Sequence, residues 1–391
     1  MTIKTLKRYL SLHDFEKAAQ KLLPKPLFAY VSGAVEDEAS ITANRSVFGN
    51  YSFKPNVLVD VSSVDTSITL FGTRYATPVG VAPMGLAAMT SYRGDVALAV
   101  ASKKAGAMCI MSGSSLIRLE EVMEAAPGTW FQAYLPGKQE QIDALVQRVR
   151  YAGVETLVLT VDTPVAANRE NNIRAGFSTP LRPSLSLAWQ GMTHPRWLLG
   201  TFAKTLMRHG MPHFENNYAT RGAPVMSSNV LRDFSDRGHL NWEHLSRVRA
   251  MWQGPLVIKG ILNVADLLKA KDIGADAVIV SNHGGRQLDG SVAPLLVLPE
   301  MMDVAGDYPI MLDSGVRRGT DVLKALALGA TAAWIGRPFN YAATVGGEAG
   351  VSHALDLIKQ EVKRDMGLLG VTDVGSIRRD HLCDSRWSQY R

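Results

Sequence analysis

The sequence predicts a (β/α)₈ TIM barrel, the α/β fold in which eight parallel strands are each followed by a helix. Short apolar runs recur eight times, and a helical pattern follows most of them. Most steps from one run to the next are about 22–32 residues, the length of one strand–helix unit. Eight such units favour a closed barrel over an open sheet, and 391 residues is within the size range of one barrel domain.

The eight predicted strands are nearly continuous in hydrophobicity and mostly rich in Val and Ile, as strands covered on both faces are. Several helical patterns between them end at glycine, the residue that commonly follows a helix C-terminus. The strands are expected at 79–83, 107–112, 129–134, 156–162, 255–260, 277–282, 309–314 and 332–337.

Two segments lie outside this repeat. Residues 1–75 precede the first strand and are expected to form a helical cap with connecting strands, while the barrel occupies 76–382. The step from the fourth strand to the fifth is about 98 residues, so some 65–70 residues are inserted there, at roughly 177–240. We interpret the whole chain, 1–391, as one domain.

Composition excludes several classes of protein. Apolar residues make up 46% and charged residues 20%, which is typical of a globular chain. The net charge of +6 permits an anionic ligand or membrane surface, and no nucleic-acid partner is expected. Cys109 and Cys383 are too few for a disulfide framework or a cysteine metal site, and no metal is expected. The N-terminus lacks the apolar core of a secretory signal, and no run of about 18 apolar residues predicts a membrane span.

Polar and glycine residues stand at the ends of nearly all the predicted strands. In a TIM barrel the carboxyl ends of the strands carry the active site. These residues therefore predict a catalytic barrel, with helix caps and turns as the alternative use of the same residue types. They are Pro83, Met84, Gly85, Ser112, Gln132, Tyr134, Thr160, Asp162, Lys259, Ser281, His283, Asp313, Gly315, Arg317, Gly336 and Arg337.

The last two strand ends predict an anion site. The sequences DSGVRRG at 313–319 and IGRP at 335–338 supply glycines for close backbone approach, amide donors and the cations Arg317 and Arg337. The loops after strands seven and eight bind phosphate in many TIM barrels. Plain glycine–arginine turns are the alternative.

The stretch SNHGGRQLD at 281–289 is the most specific in the chain. His283, three residues before Arg286, can act as a base beside a carboxylate-binding arginine, with a structural histidine as the alternative. Asp162 could hold the far ring nitrogen and fix the tautomer. Arg169 adds a second cation, so we predict an anionic substrate that loses a proton. The absence of a GxGxxG helix start argues against a dinucleotide.

With these motifs the sequence resembles the FMN-dependent 2-hydroxy-acid dehydrogenases and oxidases. That family includes glycolate oxidase, flavocytochrome b2 and the bacterial lactate and mandelate dehydrogenases. The resemblance extends in order over about 15–382. It rests on LPKPLFAYVSGAVEDE, FKPNVLVDVS, VAPMG, FQAY, LTVDTPV with Arg169-Glu170, VIKGI, VSNHGGRQLD, LDSGVRRG and IGRP.

The resemblance implies a role for each residue of the predicted site. His283 would be the catalytic base, with Asp162 as its partner. Substrate contacts are implied for Tyr30, Tyr134, Arg169 and Arg286, of which Tyr30 and Arg286 would hold the carboxylate. FMN contacts are implied for Pro83, Met84, Gly85, Ser112, Gln132, Thr160, Lys259, Ser281, Asp313, Gly315, Arg317, Gly336 and Arg337.

The implied reaction oxidises a lactate- or mandelate-like (S)-2-hydroxy acid to the 2-oxo acid and reduces FMN. Removal of the α-proton and hydride transfer to flavin N5 both remain open. Two positions depart from the pattern of glycolate oxidase: Ser114 stands where that enzyme has Trp, and Gly85 replaces a common Ala. The smaller residues predict more room for the substrate side chain, unless the backbone shifts to fill it.

The insertion contains a basic amphipathic pattern, within about 178–215. Thr193 is predicted as the N-cap of a helix, with Pro195 in its first turn. Such a helix suits the surface of an anionic membrane, and HPRW and RHGMP resemble the membrane-binding segment of bacterial mandelate and lactate dehydrogenases. A helix packed on the barrel or at a subunit interface is the alternative. The residues of the pattern are apolar Trp197, Leu198, Leu199, Phe202, Ala203, Leu206 and Met207 and basic Arg196, Lys204 and Arg208.

We therefore expect a peripheral enzyme on the cytoplasmic face of the inner membrane that passes electrons to quinone and, as is usual in the family, forms a homotetramer. A soluble oxidase that converts O₂ to H₂O₂ is the alternative. Another flavin barrel, such as type 2 isopentenyl-diphosphate isomerase, would need no carboxylate clamp, so Arg169 and Arg286 argue against it. A non-catalytic barrel would be colourless, without flavin.

Overall fold

A computed structural model describes residues 3–178, 181–226 and 237–385. Its amino-terminal part is a cap of short helices and strands, packed against the barrel and its last long helix. The cap consists of α1 (Ile3–Leu6), α2 (Leu12–Leu22), α3 (Lys25–Ser32), α4 (Ala39–Ser46), β1 (Tyr51–Phe53), β2 (Ile68–Leu70) and β3 (Thr73–Tyr75).

Eight parallel strands close into a barrel in chain order, and the last strand pairs with the first. This confirms the predicted TIM barrel, and each strand lies within its predicted run except β8, which extends one residue beyond it. Every strand residue except one is buried, as continuous hydrophobicity indicated. The strands are β4 (Val79–Val81), β5 (Met108–Ser112), β6 (Trp130–Ala133), β7 (Leu157–Thr160), β8 (Leu256–Ile261), β9 (Ala277–Val280), β10 (Ile310–Leu312) and β11 (Ala333–Ile335).

Helices surround the barrel and a final strand returns to the cap. Strand β12 (Leu382–Asp384) pairs antiparallel with β1, and α17 is interrupted at Gly347 (φ 58°, ψ −140°). The helices are α5 (Ala87–Thr90), α6 (Gly94–Lys104), α7 (Leu119–Ala125), α8 (Gln139–Tyr151), α9 (Glu170–Arg174), α10 (Leu185–Thr193), α11 (Pro195–Trp197), α12 (Lys204–His209), α13 (Trp242–Met251), α14 (Val264–Asp272), α15 (Pro294–Ala305), α16 (Gly319–Ala327) and α17 (Arg337–Leu369).

Large side chains close the amino-terminal end of the barrel. The rings of Trp130 and Trp334 lie 5.1 Å apart inside it. The β2–β3 hairpin covers the two indoles at this end of the barrel. The Phe71 ring lies 5.6 Å from the Trp130 ring, and the Tyr75 hydroxyl accepts a hydrogen bond from Trp130 Nε1 at 3.2 Å. Because this end is filled, a ligand can enter only from the carboxyl ends of the strands.

The insertion carries its helices across the outside of the barrel, and its structure corrects the predicted pattern. Trp197 is buried, donates from Nε1 to the Met89 carbonyl at 2.7 Å and stacks on Phe202. These two rings therefore anchor the insertion to the barrel instead of facing outward. Thr193 ends α10 and is not the N-cap of the next helix, although Pro195 is at its start as predicted.

Another apolar set, which shares Leu199 and Met207 with the predicted pattern, is exposed on the insertion. These side chains are between 59% and 91% exposed. In the part of the chain that the structure describes, no helix is both long and apolar enough to cross a bilayer. The exposed set, which we call the outer apolar face, is Leu185, Trp189, Met192, Leu199 and Met207.

Gly80 provides a test of the barrel packing. A β-carbon at this position would lie 2.4 Å from the Trp334 ring, whose indole is fully enclosed. We expect Gly80→Ala to destabilise the protein by about 1–3 kcal/mol, because a packed core cannot absorb an extra methyl group. Gly49→Ala is the matched control, since its β-carbon meets nothing within 4 Å. Equal denaturation midpoints for the two variants would contradict this packing.

Candidate active site

A cavity of about 430 Å³ opens at the carboxyl ends of the strands. It is lined by loops from seven of the eight strands and by α3 of the cap. Fifteen of the predicted site residues line it, and Ser112, Gln132, Asp162 and Ser281 lie behind its wall. The fifteen are Tyr30, Pro83, Met84, Gly85, Tyr134, Thr160, Arg169, Lys259, His283, Arg286, Asp313, Gly315, Arg317, Gly336 and Arg337.

His283 and Asp162 form a hydrogen-bonded pair in this cavity. The imidazole Nδ1 lies 3.0 Å from Asp162 Oδ1. His283 has a left-handed backbone (φ 57°), and its amide donates to Ser281 Oγ at 3.0 Å. On β8, Gly260 (φ 109°) makes room for the partner, because a β-carbon there would lie 2.7 Å from Asp162 Cβ. With Nδ1 engaged by a carboxylate, Nε2 is the nitrogen left to accept a proton.

The pKa values of this pair favour a neutral histidine and an ionised aspartate. Burial lowers the pKa of His283, while the Asp162 carboxylate opposes that shift. Burial alone would raise the pKa of Asp162. The attraction of His283 and Lys259 outweighs burial and holds the pKa of this carboxyl below its usual range. A neutral imidazole bonded to an ionised carboxylate is the form that a general base requires.

Lys259 is a buried cation beside the pair. Its Nζ lies 2.9 Å from Asp313 Oδ2 and donates to Ser281 Oγ at 2.7 Å. Burial acts to lower the pKa of Lys259, but Asp313 and Asp162 outweigh burial and raise it. The ammonium therefore stays charged at the floor of the cavity at neutral pH.

Three arginines converge on one side of the cavity. Arg286 and Arg337 both donate to the Gly33 carbonyl, at 2.8 and 2.9 Å, and Arg169 donates to the Arg286 carbonyl at 3.1 Å. Burial, together with Arg169 and Arg337, lowers the pKa of Arg286 to about 9. Among the described residues no carboxylate lies within 4.0 Å of these guanidinium groups. The cluster is thus a site of positive charge that an anion would stabilise.

The space beside these cations is bordered by small residues. A β-carbon on Gly85 would lie 3.0 Å from Ser114 Cβ and 3.1 Å from the Tyr30 hydroxyl. Tyr30 stacks on Phe177 at 4.6 Å and lies beneath the Arg286 guanidinium, 5.1 Å from its ring centre. Gly85 and Ser114 both line the cavity, and Gly85 is packed so closely against Ser114 and Tyr30 that a larger side chain there would displace them.

Arg317 and two buried polar side chains complete the site. Burial, with Arg337 and Arg45 nearby, lowers the pKa of Arg317 to about 10. Gln132 Nε2 and Thr160 Oγ1 are buried and have no hydrogen-bond partner among the described residues. Gln132 Oε1 accepts from Ser112 Oγ at 3.2 Å, which fixes the direction of the amide. Unpaired buried donors are costly, so these two point to a polar ligand.

Several residues that position the site were missed at the sequence level. Gln287 bridges two loops: its Oε1 accepts from Arg169 at 2.8 Å and its Nε2 donates to the Asp162 carbonyl at 3.0 Å. Asn44 and Asn282 exchange two hydrogen bonds of 2.8 Å between α4 and the His283 loop. The motif SNHGGRQLD contains two of these residues, but nothing in it indicated their partners.

Arg237 was also missed. It is buried, and its guanidinium lies 5.4 Å from the centre of the Tyr134 ring, although it falls inside the predicted insertion. No sequence signal separated it from the other basic residues of that segment.

Fold and site together define a class of protein: a TIM-barrel enzyme whose cavity holds a histidine paired with a carboxylate and a cluster of buried cations. Comparison with known proteins gives the family. The model of the FMN-dependent dehydrogenase family matches residues 19–384. The chain is 36% identical to (S)-mandelate dehydrogenase of Pseudomonas putida, covering 95% of this chain and 93% of that protein. It is 39% identical to an L-lactate dehydrogenase of Caulobacter vibrioides, covering 96% and 97%.

Comparison with solved structures also finds enzymes that act on mandelate. A monotopic membrane protein, (S)-mandelate dehydrogenase, superposes with a TM-score of 0.86 at 35% identity, over 96% of this chain and all of that one (100%). A mandelate oxidase superposes with a TM-score of 0.78 at 35% identity, over 96% and 98%. The chain belongs to the FMN-dependent dehydrogenase family, and it is an FMN-dependent oxidoreductase.

The residues of the cavity fit FMN. The unpaired donors Gln132 Nε2 and Thr160 Oγ1 suit the carbonyl oxygens and ring nitrogens of a flavin. Lys259 supplies positive charge near them, and Arg317 offers charge-assisted hydrogen bonds to a phosphate.

The His283–Asp162 pair predicts a pH dependence. A base accepts a proton only when it is neutral, so with His283 in that role kcat/KM should fall as the pH drops through the pKa of His283, which burial places below its usual value of about 6.5. In Asp162→Asn the carboxylate that raises this pKa is gone, so the acid limb should move to still lower pH while the maximal rate decreases. Steady-state kinetics from pH 4.5 to 8 would measure both. An acid limb that moves upward in the variant would contradict the pairing.

Proposed function

We propose that this enzyme oxidises a lactate- or mandelate-like (S)-2-hydroxy acid to the 2-oxo acid, with His283 as the base. The observation that carries the proposal is the His283–Asp162 hydrogen bond of 3.0 Å beside the arginine cluster, in one cavity. A base next to paired cations suits a substrate that binds through a carboxylate and loses a proton. The names of the mandelate and lactate dehydrogenase relatives support this substrate class.

We assign to the side chains the roles that the family resemblance implies. Arg286 would hold the substrate carboxylate with the Tyr30 hydroxyl, and Arg169 would add charge beside them. Tyr134 would contact the substrate hydroxyl. His283 would accept the proton at Nε2 while Asp162 fixes the tautomer and stabilises the imidazolium. Bound FMN supplies the two-electron acceptor.

The cofactor would lie across the remaining residues. Lys259 would stabilise negative charge on the reduced ring, since it is buried and held by Asp313 and Ser281. The ring would rest against the backbone of Pro83, Met84 and Gly85. Its polar edge would bond Ser112, Gln132 and Thr160, and its ribityl phosphate would meet Asp313, Gly315, Arg317, Gly336 and Arg337.

The small size of Gly85 and Ser114, which both line the cavity, favours a substrate with a bulky side chain. A pocket discriminates among substrates by volume, and each missing methylene leaves space worth about 1–3 kcal/mol of discrimination. A phenyl group would therefore be accommodated more readily here than in a pocket narrowed by Trp. Rates of flavin reduction by mandelate, lactate and glycolate would rank the three.

Quinone in a membrane is the electron acceptor that we propose. The outer apolar face offers exposed Trp and Leu side chains beside Arg196 and Arg208, which suits an anionic lipid surface. The monotopic (S)-mandelate dehydrogenase structure supports a peripheral location, which we place on the cytoplasmic face of the inner membrane. We also propose a homotetramer. The mandelate oxidase neighbour supports the alternative, O₂ reduced to H₂O₂.

The base assignment predicts the behaviour of His283→Asn. The variant should keep bound FMN but reduce it about 10²–10⁴-fold more slowly, because general-base catalysis contributes that much. Anaerobic stopped-flow absorbance with a 2-hydroxy acid measures the rate. His244→Asn on α13, outside the cavity, is the control and should behave as wild type. Near-normal reduction in His283→Asn would exclude this histidine as the base.

The membrane proposal predicts the behaviour of Trp189→Ser with Leu199→Ser. These side chains are 62% and 67% exposed, and burying each in lipid contributes about 1.5–3 kcal/mol. Vesicles containing anionic lipid should therefore bind the double variant at least about tenfold more weakly, and salt should weaken wild-type binding. Leu368→Ser, 71% exposed on α17, is the control. Wild-type protein that ignores these vesicles at low salt would refute the proposal.

A further inference from the structure

A second cavity, of about 550 Å³, lies between the insertion and the barrel. Its walls come from the end of α2, the segment 90–97, the insertion at 196–204 and α17 near its interruption at Gly347. We call it the insertion cavity.

The lining of the insertion cavity is amphipathic. Leu23, Val96 and Trp197 supply an apolar floor, and Tyr92 and Lys204 supply polar groups. The Lys204 ammonium lies 3.9 Å from the centre of the Tyr92 ring. Such a lining suits a flat apolar ring that carries oxygen acceptors, since the floor takes the ring and the donors take the oxygens.

A titratable pair stands at the edge of this cavity and has no role in the oxidation of substrate. The Tyr92 hydroxyl lies 3.0 Å from His209 Nε2, and the two rings are 5.9 Å apart. Tyr92 is on the barrel side and His209 is at the end of α12, so the bond joins the insertion to the barrel. Imidazole is the side chain best suited to exchange protons near neutral pH, and a phenol can pass one on.

The position of the cavity connects the membrane-facing surface with the active site. Leu199 and Met207 of the outer apolar face flank the insertion residues that line it. On the other side, Gly85 lines the active-site cavity and Thr90 lines the insertion cavity, with the short, buried helix α5 between them. The five residues from Leu86 to Thr90 would span at most about 18 Å if extended, and the helix shortens that path.

We propose that the insertion cavity binds the ring of a membrane quinone and that Tyr92 and His209 deliver protons to it. This rests on the proposed function, which makes quinone the electron acceptor. The isoprenoid tail would leave past Leu199 into lipid. Lys204 and the Tyr92 hydroxyl would donate hydrogen bonds to the quinone oxygens. The positive charge of Lys204 and the proton of Tyr92 would favour reduction of the quinone.

The step balances over the full cycle. The hydroxy acid loses two electrons and two protons, and the quinone gains two electrons and two protons to become a quinol. The electrons cross from the reduced flavin through α5, and the flavin returns to its oxidised form. Protons released in the active site go to solvent, and His209 recovers protons from solvent and passes them through Tyr92.

Two variants and a matched control test the proposal. Gly200 lines the cavity and has open space around it, so Gly200→Trp should obstruct the ring. Binding of decyl-benzoquinone to the oxidised holoenzyme, measured by equilibrium dialysis, should weaken at least about tenfold, a cost of about 1.4 kcal/mol.

Tyr92→Phe keeps the ring but loses the proton donor, so quinone turnover should fall about tenfold or more with little change in KM. Gly49→Trp, also in open space but remote, should match wild type.

The outcomes separate this proposal from the one on which it rests. Flavin reduction by substrate and turnover with ferricyanide should be unchanged in both variants, because neither residue lines the active-site cavity. Wild-type protein that neither binds nor reduces the quinone would refute the quinone acceptor itself. Wild-type protein that reduces the quinone while Gly200→Trp binds and reduces it equally well would place quinone reduction elsewhere. Competition between the quinone and a 2-oxo acid would place it in the active-site cavity.

Discussion

Excess positive charge at the carboxyl end of the barrel is the constraint on which the site depends. Five cations line one cavity, Arg169, Lys259, Arg286, Arg317 and Arg337, and the carboxylates of Asp162 and Asp313 are the nearby anions. Burial and mutual repulsion lower the pKa values of Arg286 and Arg317. The protein can hold this charge because backbone carbonyls of the cap accept hydrogen bonds from the arginines, and bound anions would complete the compensation.

The cap therefore forms part of the site and does not only cover it. Carbonyls at the end of α3 accept hydrogen bonds from Arg286 and Arg337, and α4 contacts the loop that carries His283. Asp289 accepts hydrogen bonds from the first amides of α4, at Ala39 and Ser40, which places a carboxylate at the positive end of that helix. Together with the Asn44–Asn282 exchange, these bonds hold the left-handed backbone of His283 in place.

Specific contacts connect the insertion to the barrel at several points. The Trp197 indole donates into the barrel helix α5, and Tyr92 meets His209 at the edge of the insertion cavity. Other apolar side chains of the insertion, such as Trp189 and Leu199, are exposed. One segment thus combines an inner face that packs on the barrel with exposed apolar side chains, and these are the basis of the proposed contact with lipid.

The sequence alone determined the barrel and the residue types at its strand ends. Strands buried on both faces leave a continuous apolar run, and the carboxyl ends of parallel strands must meet, so His283, Asp162 and the arginines could be assigned to one site. Their resemblance to a known family implied the flavin.

Only the tertiary structure decided which side chains face each other across the fold. Burial of Trp197, the Gln287 bridge, the Asn44–Asn282 pair and the approach of Arg237 to Tyr134 all join residues distant in sequence. A helical pattern gives the spacing of apolar residues but does not say whether they face the barrel or the outside. The pattern therefore assigned Trp197 and Phe202 to the outer surface, where the structure has Trp189 instead. Periodicity reports local geometry, whereas contacts between elements depend on how the whole chain packs.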